Sequence, residues 1–171
     1  KSENIHLRAL EPEDISHLYK WENDRNVWQV SNTIAPYSKY ILKQYIENSH
    51  LDIFETKQLR FVIVNTQTDV PIGAIDLFDF EPYHSRIGVG ILIYNEDDRG
   101  RGYASEALNL TLDYCFSVLN VHQIYCNILS DNIGSISLFE KVGFEKTACK
   151  KDWIWTKKGW EDEFLYQKVR K

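Results

Sequence analysis

The sequence predicts an α/β (α+β) fold: a mixed, mostly antiparallel sheet of about seven strands with helices on both faces. Three observations carry that expectation. Strand-like runs at 59–65, 71–80 and 87–94 follow one another with no helix between them, so neighbours pair antiparallel. Helical patterns lie before and after this block rather than alternating with single strands. The 171 residues, 43% of them hydrophobic, suffice for one core, and no repeat, low-complexity segment or linker divides them, so 1–171 reads as a single domain.

Each element has a local reason. Residues 4–10 alternate Ile5, Leu7 and Ala9 against His6 and Arg8, the period of a half-buried strand. Glu11-Pro12-Glu13-Asp14 opens a helix, with proline in the first turn and acids at the positive end of the dipole. Ile15, Leu18, Tyr19 and Glu22 trace one face of it. Residues 23–37 keep no period and read as irregular. Ser38 caps a second helix in which Ile41, Leu42, Tyr45, Ile46 and Ser49 recur at helical spacing.

The turn Thr66-Gln67-Thr68-Asp69 joins the first two strands of the central block into a hairpin. The third strand contains Gly88 and Gly90, which mark a bulge or a close approach. A long helix runs from Gly102 to about Leu119, with Ala104, Leu108, Thr111, Leu112 and Cys115 on one face. Residues 121–129 form the next strand. Asn132 caps a short helix ended by Gly143, after which Phe144 begins an extended segment. Residues 153–156 and 164–169 flank Lys157-Lys158-Gly159 as a closing hairpin. The predicted order is β-α-α-β-β-β-α-β-α-β-β.

A formal charge of −5 with mixed signs argues against general nucleic-acid binding. No apolar run approaches membrane-spanning length, and Lys1-Ser2-Glu3-Asn4 lacks the features of a signal peptide. Cys115, Cys126 and Cys149 are odd in number and share no CxxC spacing, which argues for free thiols and a cytoplasmic setting. No metal-ligand pattern is present. The state of assembly, including a homo-oligomer, stays open.

The most informative stretch is Asn95-Glu96-Asp97-Asp98-Arg99-Gly100-Arg101-Gly102-Tyr103-Ala104, between a strand and a long helix. Glycines let backbone approach a ligand, first-turn amides point outward, and the helix dipole favours negative charge. Arg99 and Arg101 add charge-assisted donors, so the expected ligand bears phosphate. A Walker A loop would need Gly-Lys-Ser/Thr, which is missing. A dinucleotide fingerprint is half matched, but Ser105 stands at the third small position and no βαβ run surrounds it.

Arg99-x-x-Gly102-x-Ala104 instead resembles the acetyl-CoA pyrophosphate motif of the GNAT acetyltransferase superfamily. Asn132-x-x-Ser135-x-x-Leu138-Phe139-Glu140-Lys141-Val142-Gly143-Phe144 resembles that superfamily's second signature, beside the pantetheine arm. The opening Leu7-Arg8-Ala9-Leu10-Glu11-Pro12-Glu13-Asp14 is similar to the branch holding ribosomal-protein N-terminal and spermidine acetyltransferases. The resemblance covers essentially the whole chain.

It implies a GNAT-like fold and an N-acetyltransferase with acetyl-CoA as co-substrate and no metal. The acceptor would be a primary amine, either a polyamine or other small amine or a peptide N-terminus. Transfer would be direct, in a ternary complex. Amides around Ile91, Leu92 and Ile93 would pair with the pantetheine as an added strand, and one would face the thioester oxygen. Arg99, Gly100, Arg101, Gly102, Tyr103 and Ala104 would hold the pyrophosphate, with Asn132, Ser135 and Phe139 beside the arm.

An amine must lose a proton to attack. At pH 7 this costs about 4.6 kcal/mol for a Lys-like amine of pKa about 10.4, but only about 1–1.4 kcal/mol for an α-amino group of pKa about 8. The chain departs from the family pattern twice. Gly88 stands where several members carry a general-base glutamate, and Phe139 where many carry a tyrosine acid. Ser135 matches a serine with the acid role in the ribosomal-protein branch and is the substitute candidate.

For the base, Asp76, Glu81 and His84 are candidates beside water-mediated loss; Asp76 and Asp79 have opposite strand parity and are expected on opposite faces. Trp28, Tyr37 and Tyr83 are aromatic candidates for an acceptor pocket. Cys126 falls in an apolar strand pattern and reads as a packed thiol rather than an acyl carrier. The departures at Gly88 and Phe139 also leave a second reading, a catalytically weak acyl-CoA-binding regulatory module.

Overall fold

The computed structural model describes residues 1–171, the Gln29 side chain excepted. Among the described residues seven strands form one sheet: β1 (Ile5–Arg8), β2 (Leu59–Asn65), β3 (Pro71–Glu81), β4 (Arg86–Ile93), β5 (Gln123–Leu129), β6 (Glu145–Thr156) and β7 (Gly159–Val169). Their order is β1-β2-β3-β4-β5-β7-β6. Every adjacent pair is antiparallel except β4 with β5, which is parallel. A parallel neighbour needs a crossover, and α5 (Tyr103–Ser117) supplies it.

The other helices are α1 (Ile15–Glu22), α2 (Arg25–Ser31), α3 (Lys39–Glu47), α4 (Ile53–Thr56) and α6 (Ile133–Lys141). Strand alternation sorts the core between the two faces. Leu108, Leu112 and Cys115 of α5 and Phe139 of α6 pack with Ile75, Leu77, Ile87, Val89 and Ile124. Burying each of these larger aliphatic side chains contributes about 1.5–3 kcal/mol. On the other side, Leu18 and Trp21 of α1 and Leu42 and Ile46 of α3 cluster with Val62 and Val64 of β2. Trp21 also stacks flat on Tyr94, ring centroids 4.2 Å apart. Helices thus cover both faces, as predicted.

Local chemistry sets the ends. Asn65 Oδ1 accepts from the amides of Gln67 (2.9 Å) and Thr68 (3.2 Å), turning β2 into β3. Ser38 accepts from Ile41 N (3.2 Å) and caps α3, as its sequence position predicts. Arg8 grips Asp14 with both guanidinium ends (2.7 and 2.8 Å), tying β1 to the turn before α1.

Three expectations need correction. Part of the stretch expected to be irregular is helical: Asp24 accepts from Asn26 N (2.9 Å) and starts α2, whose mostly exposed sequence gives no apolar period. The extended segment expected from Phe144 and the hairpin arm expected over 153–156 are one continuous strand, β6, from Glu145 to Thr156. It is an edge strand exposed along most of its length, so hydrophobic alternation does not report its continuity. The parity argument for Asp76 and Asp79 fails because β3 bulges between Phe78 and Glu81. Asp79 takes φ 49° there and accepts from the Tyr125 hydroxyl, while Asp76 stays in regular register.

Candidate active site

The site begins with a failure of strand pairing. β4 and β5 match only at Arg86–Gln123, Ile87–Ile124 and Gly88–Tyr125. β5 then follows β7 along its whole length, while β4 stays with β3 to Gly73–Ile93, so the two strands splay. Tyr94 N–H reaches back to Ile72 O on the β3 side (3.1 Å). Alternation therefore turns the N–H and C=O groups of Ile91 and Ile93 into the gap. Arg99 Nε donating to Ile93 O (2.9 Å) fits that direction.

The loop after β4 is built to keep its amides facing outward. Residues 96–98 form a 3-10 turn, and Arg99 spends its guanidinium on Ile93 O and Tyr94 O (3.3 Å). It thereby holds the loop's shape more than it reaches for a ligand. Gly100 (φ 72°) and Gly102 (φ 87°) both take the left-handed conformation that glycine adopts without strain. Glu106 N–H is the amide that closes on Gly102 O (3.1 Å), so the first-turn amides of Tyr103, Ala104 and Ser105 point out of the helix end. They face a cavity of about 640 Å³ reaching from this loop past Ile91 and Ile93 to α6. Arg101 is exposed and lies outside that lining.

The short helix α6 closes the other wall. Asn132 Oδ1 accepts from Ser135 N (3.1 Å), the predicted cap. Gly134, Ser137, Leu138 and Lys141 present one helical stripe to the cavity. The sequence reading missed Lys141, although its spacing from Gly134 and Ser137 was the available signal. Phe139 is buried and meets Phe144 edge-on, ring centroids 5.0 Å apart. An amide-lined helix N-terminus, a lysine and an open strand edge form a donor set that fits a pantetheine chain ending in a pyrophosphate.

A second cavity of about 640 Å³ opens on the α1–α3 side of the gap. Both cavities are lined by Val30, Ile91, Asn132 and Ser135, so the half-buried Ser135 stands where they meet. The far end of the second cavity is charged. Arg60 donates to Asp76 through Nε (2.5 Å) and Nη2 (2.9 Å), and to Glu22 through Nη1 (2.6 Å). Burial opposes the Arg60 charge, but Asp76 first and then Glu22 keep its pKa well above the usual guanidinium value. Lys150 pairs with Glu163 on the opposite wall, below Trp153.

Tyr37 also lines this cavity. Asn23 fixes it, donating to Tyr37 O (3.0 Å) and accepting from Tyr37 N (2.8 Å). Trp28 lies on α2 and donates from Nε1 to Glu22 O (2.8 Å). It is absent from the lining of either cavity and acts instead on the end of α1.

The sequence candidates thus divide by place. Asp76, Tyr37, Ser135, Phe139, Asn132 and Ile91 come together in the cleft, and Ile93 continues its strand edge. Leu92 lines the cavity, but its N–H and C=O turn to Ala74 of β3, so it is not a pantetheine partner through its backbone. Glu81, Tyr83 and His84 do not. They sit at the β3–β4 turn, the end where β4 and β5 are still paired and where His122 N–H reaches Ser85 O (2.6 Å). Glu81 lies opposite Arg86 and accepts from Tyr83 N (3.3 Å), and the exposed Tyr83 ring meets His84 edge-on. Glu22, Arg60 and Glu163 were missed, because each comes from an element distant in sequence.

Burial pushes the Cys126 thiol pKa well up, so it stays protonated. Among the described residues no helix is long and apolar enough to cross a membrane.

Comparison with known proteins bears on family and fold. A family model described as an acetyltransferase (GNAT) domain matches residues 4–145. A spermidine N(1)-acetyltransferase of Vibrio cholerae is 31% identical over 138 residues, covering 81% of this chain and 77% of the relative. An uncharacterized prophage-derived N-acetyltransferase of Bacillus subtilis is 27% identical over 98% of this chain and 91% of its own length. The crystal structure of spermidine N-acetyltransferase from Vibrio cholerae in complex with CoA and spermine superposes with a TM-score of 0.87 at 25% identity, covering 97% of this chain and 95% of that one. A dodecameric structure of the Vibrio cholerae spermidine enzyme superposes with a TM-score of 0.80 at 26% identity, covering 97% and 94% of the two chains.

Proposed function

This chain belongs to the GNAT acetyltransferase family and is an N-acetyltransferase, and from that premise we propose that it transfers acetyl from acetyl-CoA directly to the primary amine of a small molecule. The observation that carries this reading is the meeting of the two cavities at Ile91, Asn132 and Ser135. One cavity suits a phosphate-bearing donor and the other ends in the carboxylates of Glu22 and Asp76.

Acetyl-CoA brings the acyl group as an activated thioester. The first-turn amides of Tyr103, Ala104 and Ser105, with Lys141 beside them, hold the pyrophosphate. The N–H and C=O groups of Ile91 and Ile93 pair with the pantetheine arm, as an added strand would. Ile91 N–H also serves the acyl oxygen as negative charge develops there, a fixed donor that needs no reorganisation.

Ser135 Oγ stands at the junction, hydrogen-bonds the departing sulfur and relays a proton to it, which water restores to the hydroxyl. Its amide is committed to the Asn132 cap, but its hydroxyl is not. Phe139 offers only packing. On the acceptor side both Asp76 oxygens are engaged by Arg60, so Asp76 shapes the field around the amine, and the amine's proton leaves through water. An assembly of several copies is the matching expectation for quaternary structure, on the precedent of the dodecameric relative.

The test is thiol release. Purified protein, acetyl-CoA and a panel of primary amines should liberate CoA only when an acceptor is present. CoA binding without acceptor-dependent release would instead favour a regulatory acyl-CoA-binding module.

A further inference from the structure

Beyond the charged end of the acceptor cavity lies another space. Glu22, Tyr37, Arg60 and Asp76 line the acceptor cavity and also a cavity of about 320 Å³ between α3 and β2. The other residues of this second space are Ile41, Leu42, Tyr45, Gln58, Leu59 and Leu77. None carries a formal charge. Tyr45 lies over the Arg60 guanidinium, 5.5 Å from it, and burial raises its phenol pKa, so it remains neutral.

The path from the junction to this space can be measured on the sheet. Gly90 pairs with Asp76, and Asp76 pairs with Arg60, so the three form one row across β4, β3 and β2. Gly90 lies next to Ile91 at the donor junction, and it leaves the row open there. A Cβ added at Gly90 would find only Phe78 Cε1, at 3.9 Å. Two inter-strand steps of about 4.8 Å make the row roughly 10 Å long. An acceptor with its nitrogen at the junction therefore passes Asp76 and brings its far end to Arg60 and the apolar space behind it.

We infer that the acceptor is a primary amine whose far end, roughly 10 Å from the reacting nitrogen, is uncharged and apolar, an alkyl or arylalkyl group seated among Ile41, Tyr45, Leu59 and Leu77. This rests on the reading of the cleft as an N-acetyltransferase site and narrows its substrate. The charge pattern decides between amine classes. A polyamine carries further ammonium groups along the same length. One of them finds the Glu22 and Asp76 carboxylates, which Arg60 already holds, and the next reaches past the Arg60 guanidinium among six side chains without a formal charge. An ammonium among those six side chains has no carboxylate of its own, whereas an apolar group gains from leaving water.

The test compares 4-phenylbutylamine and n-octylamine with spermidine and spermine as acceptors, read by thiol release. The two apolar-tailed amines should show kcat/KM at least tenfold above the polyamines. Gln58→Glu changes charge almost without changing shape at an exposed position, and Ile41→Glu places a carboxylate at a half-exposed one. Each should cut kcat/KM for 4-phenylbutylamine tenfold or more while leaving acetyl-CoA affinity within twofold. Spermidine matching or exceeding the apolar-tailed amines overturns this inference and leaves N-acetylation standing. So does unchanged selectivity in both variants. No thiol release with any amine overturns the inference together with the function it rests on.

Discussion

Gly88 lies under the Phe78 ring: a Cβ added to the glycine would come within 2.6 Å of Phe78 Cζ and closer still to Cε2. The two residues are directly paired across β3 and β4, and Phe78 lines the acceptor cavity. The position that the sequence resemblance matches to a general-base glutamate is thus filled here by a neighbouring ring. Gly88→Ala should cost about 1–3 kcal/mol through overpacking, measured by urea unfolding. Adding Phe78→Ala should return part of that loss; additive losses would show that the ring is not the cause.

Gly102→Ala bears on the donor loop. The residue has φ 87° and no neighbour that a Cβ would touch, so the cost is conformational and amounts to about 1–2 kcal/mol. The loop relieves that strain by shifting its amides. Acetyl-CoA affinity, followed by calorimetry, should fall about tenfold, the equivalent of about 1.4 kcal/mol. An unchanged affinity would remove this loop from the phosphate site.

Ser135→Ala isolates the hydroxyl, because the cap uses only the Ser135 amide and survives the change. General acid catalysis is worth about a hundredfold or more, and a thiolate is already a fair leaving group, so kcat should fall about ten- to a hundredfold. Acetyl-CoA affinity should move less than twofold. Full turnover in this variant would strip Ser135 of the acid role.

The three cysteines should separate by reactivity. Burial raises the Cys115 thiol to about 12 and pushes Cys126 further, whereas Cys149 lies exposed on β6. Near pH 8 a maleimide should label one thiol per chain quickly and the other two only on unfolding, as counted by mass spectrometry. Cys126→Ala should keep turnover within threefold. A stable acetyl adduct on Cys126 would contradict direct transfer.

Arg8 and Asp14 give a pH-dependent test of the fold. Burial raises the Asp14 pKa, but the Arg8 hydrogen bonds and the Glu11 amide outweigh it and leave the carboxyl below its usual range. A depressed folded pKa contributes stability above the unfolded value of about 3.9 and loses it as pH falls through the folded value. Arg8→Gln should therefore destabilise by about 1–3 kcal/mol near pH 7 and by clearly less near pH 3, in urea titrations at both. Equal losses at both pH values would show that the pair contributes packing and not charge.

Much of the site could be read along the chain because it is local. Gly100, Gly102 and the start of α5 are one continuous segment, and Asn132 caps a helix three residues from the amide that it accepts. Periodicity found the strands and helices that bury an apolar stripe. It missed α2 and the continuity of β6 between its two ends, stretches that bury little and therefore carry no period. Glu81, Tyr83 and His84 had suitable chemistry and a nearby position in sequence, yet a strand only eight residues long separates the closed end of β4 from the open one.

The sequence by itself determined the donor half, since left-handed glycines, free first-turn amides and a capped helix are properties of consecutive residues. Only the tertiary structure decided the acceptor half. Arg60 meets Asp76 from 16 residues away and Glu22 from 38, and the row Gly90, Asp76, Arg60 exists only once three strands are in register. Such contacts depend on sheet pairing and helix packing, to which each residue contributes one face. Nothing in the spacing of a single chain segment specifies which faces will meet.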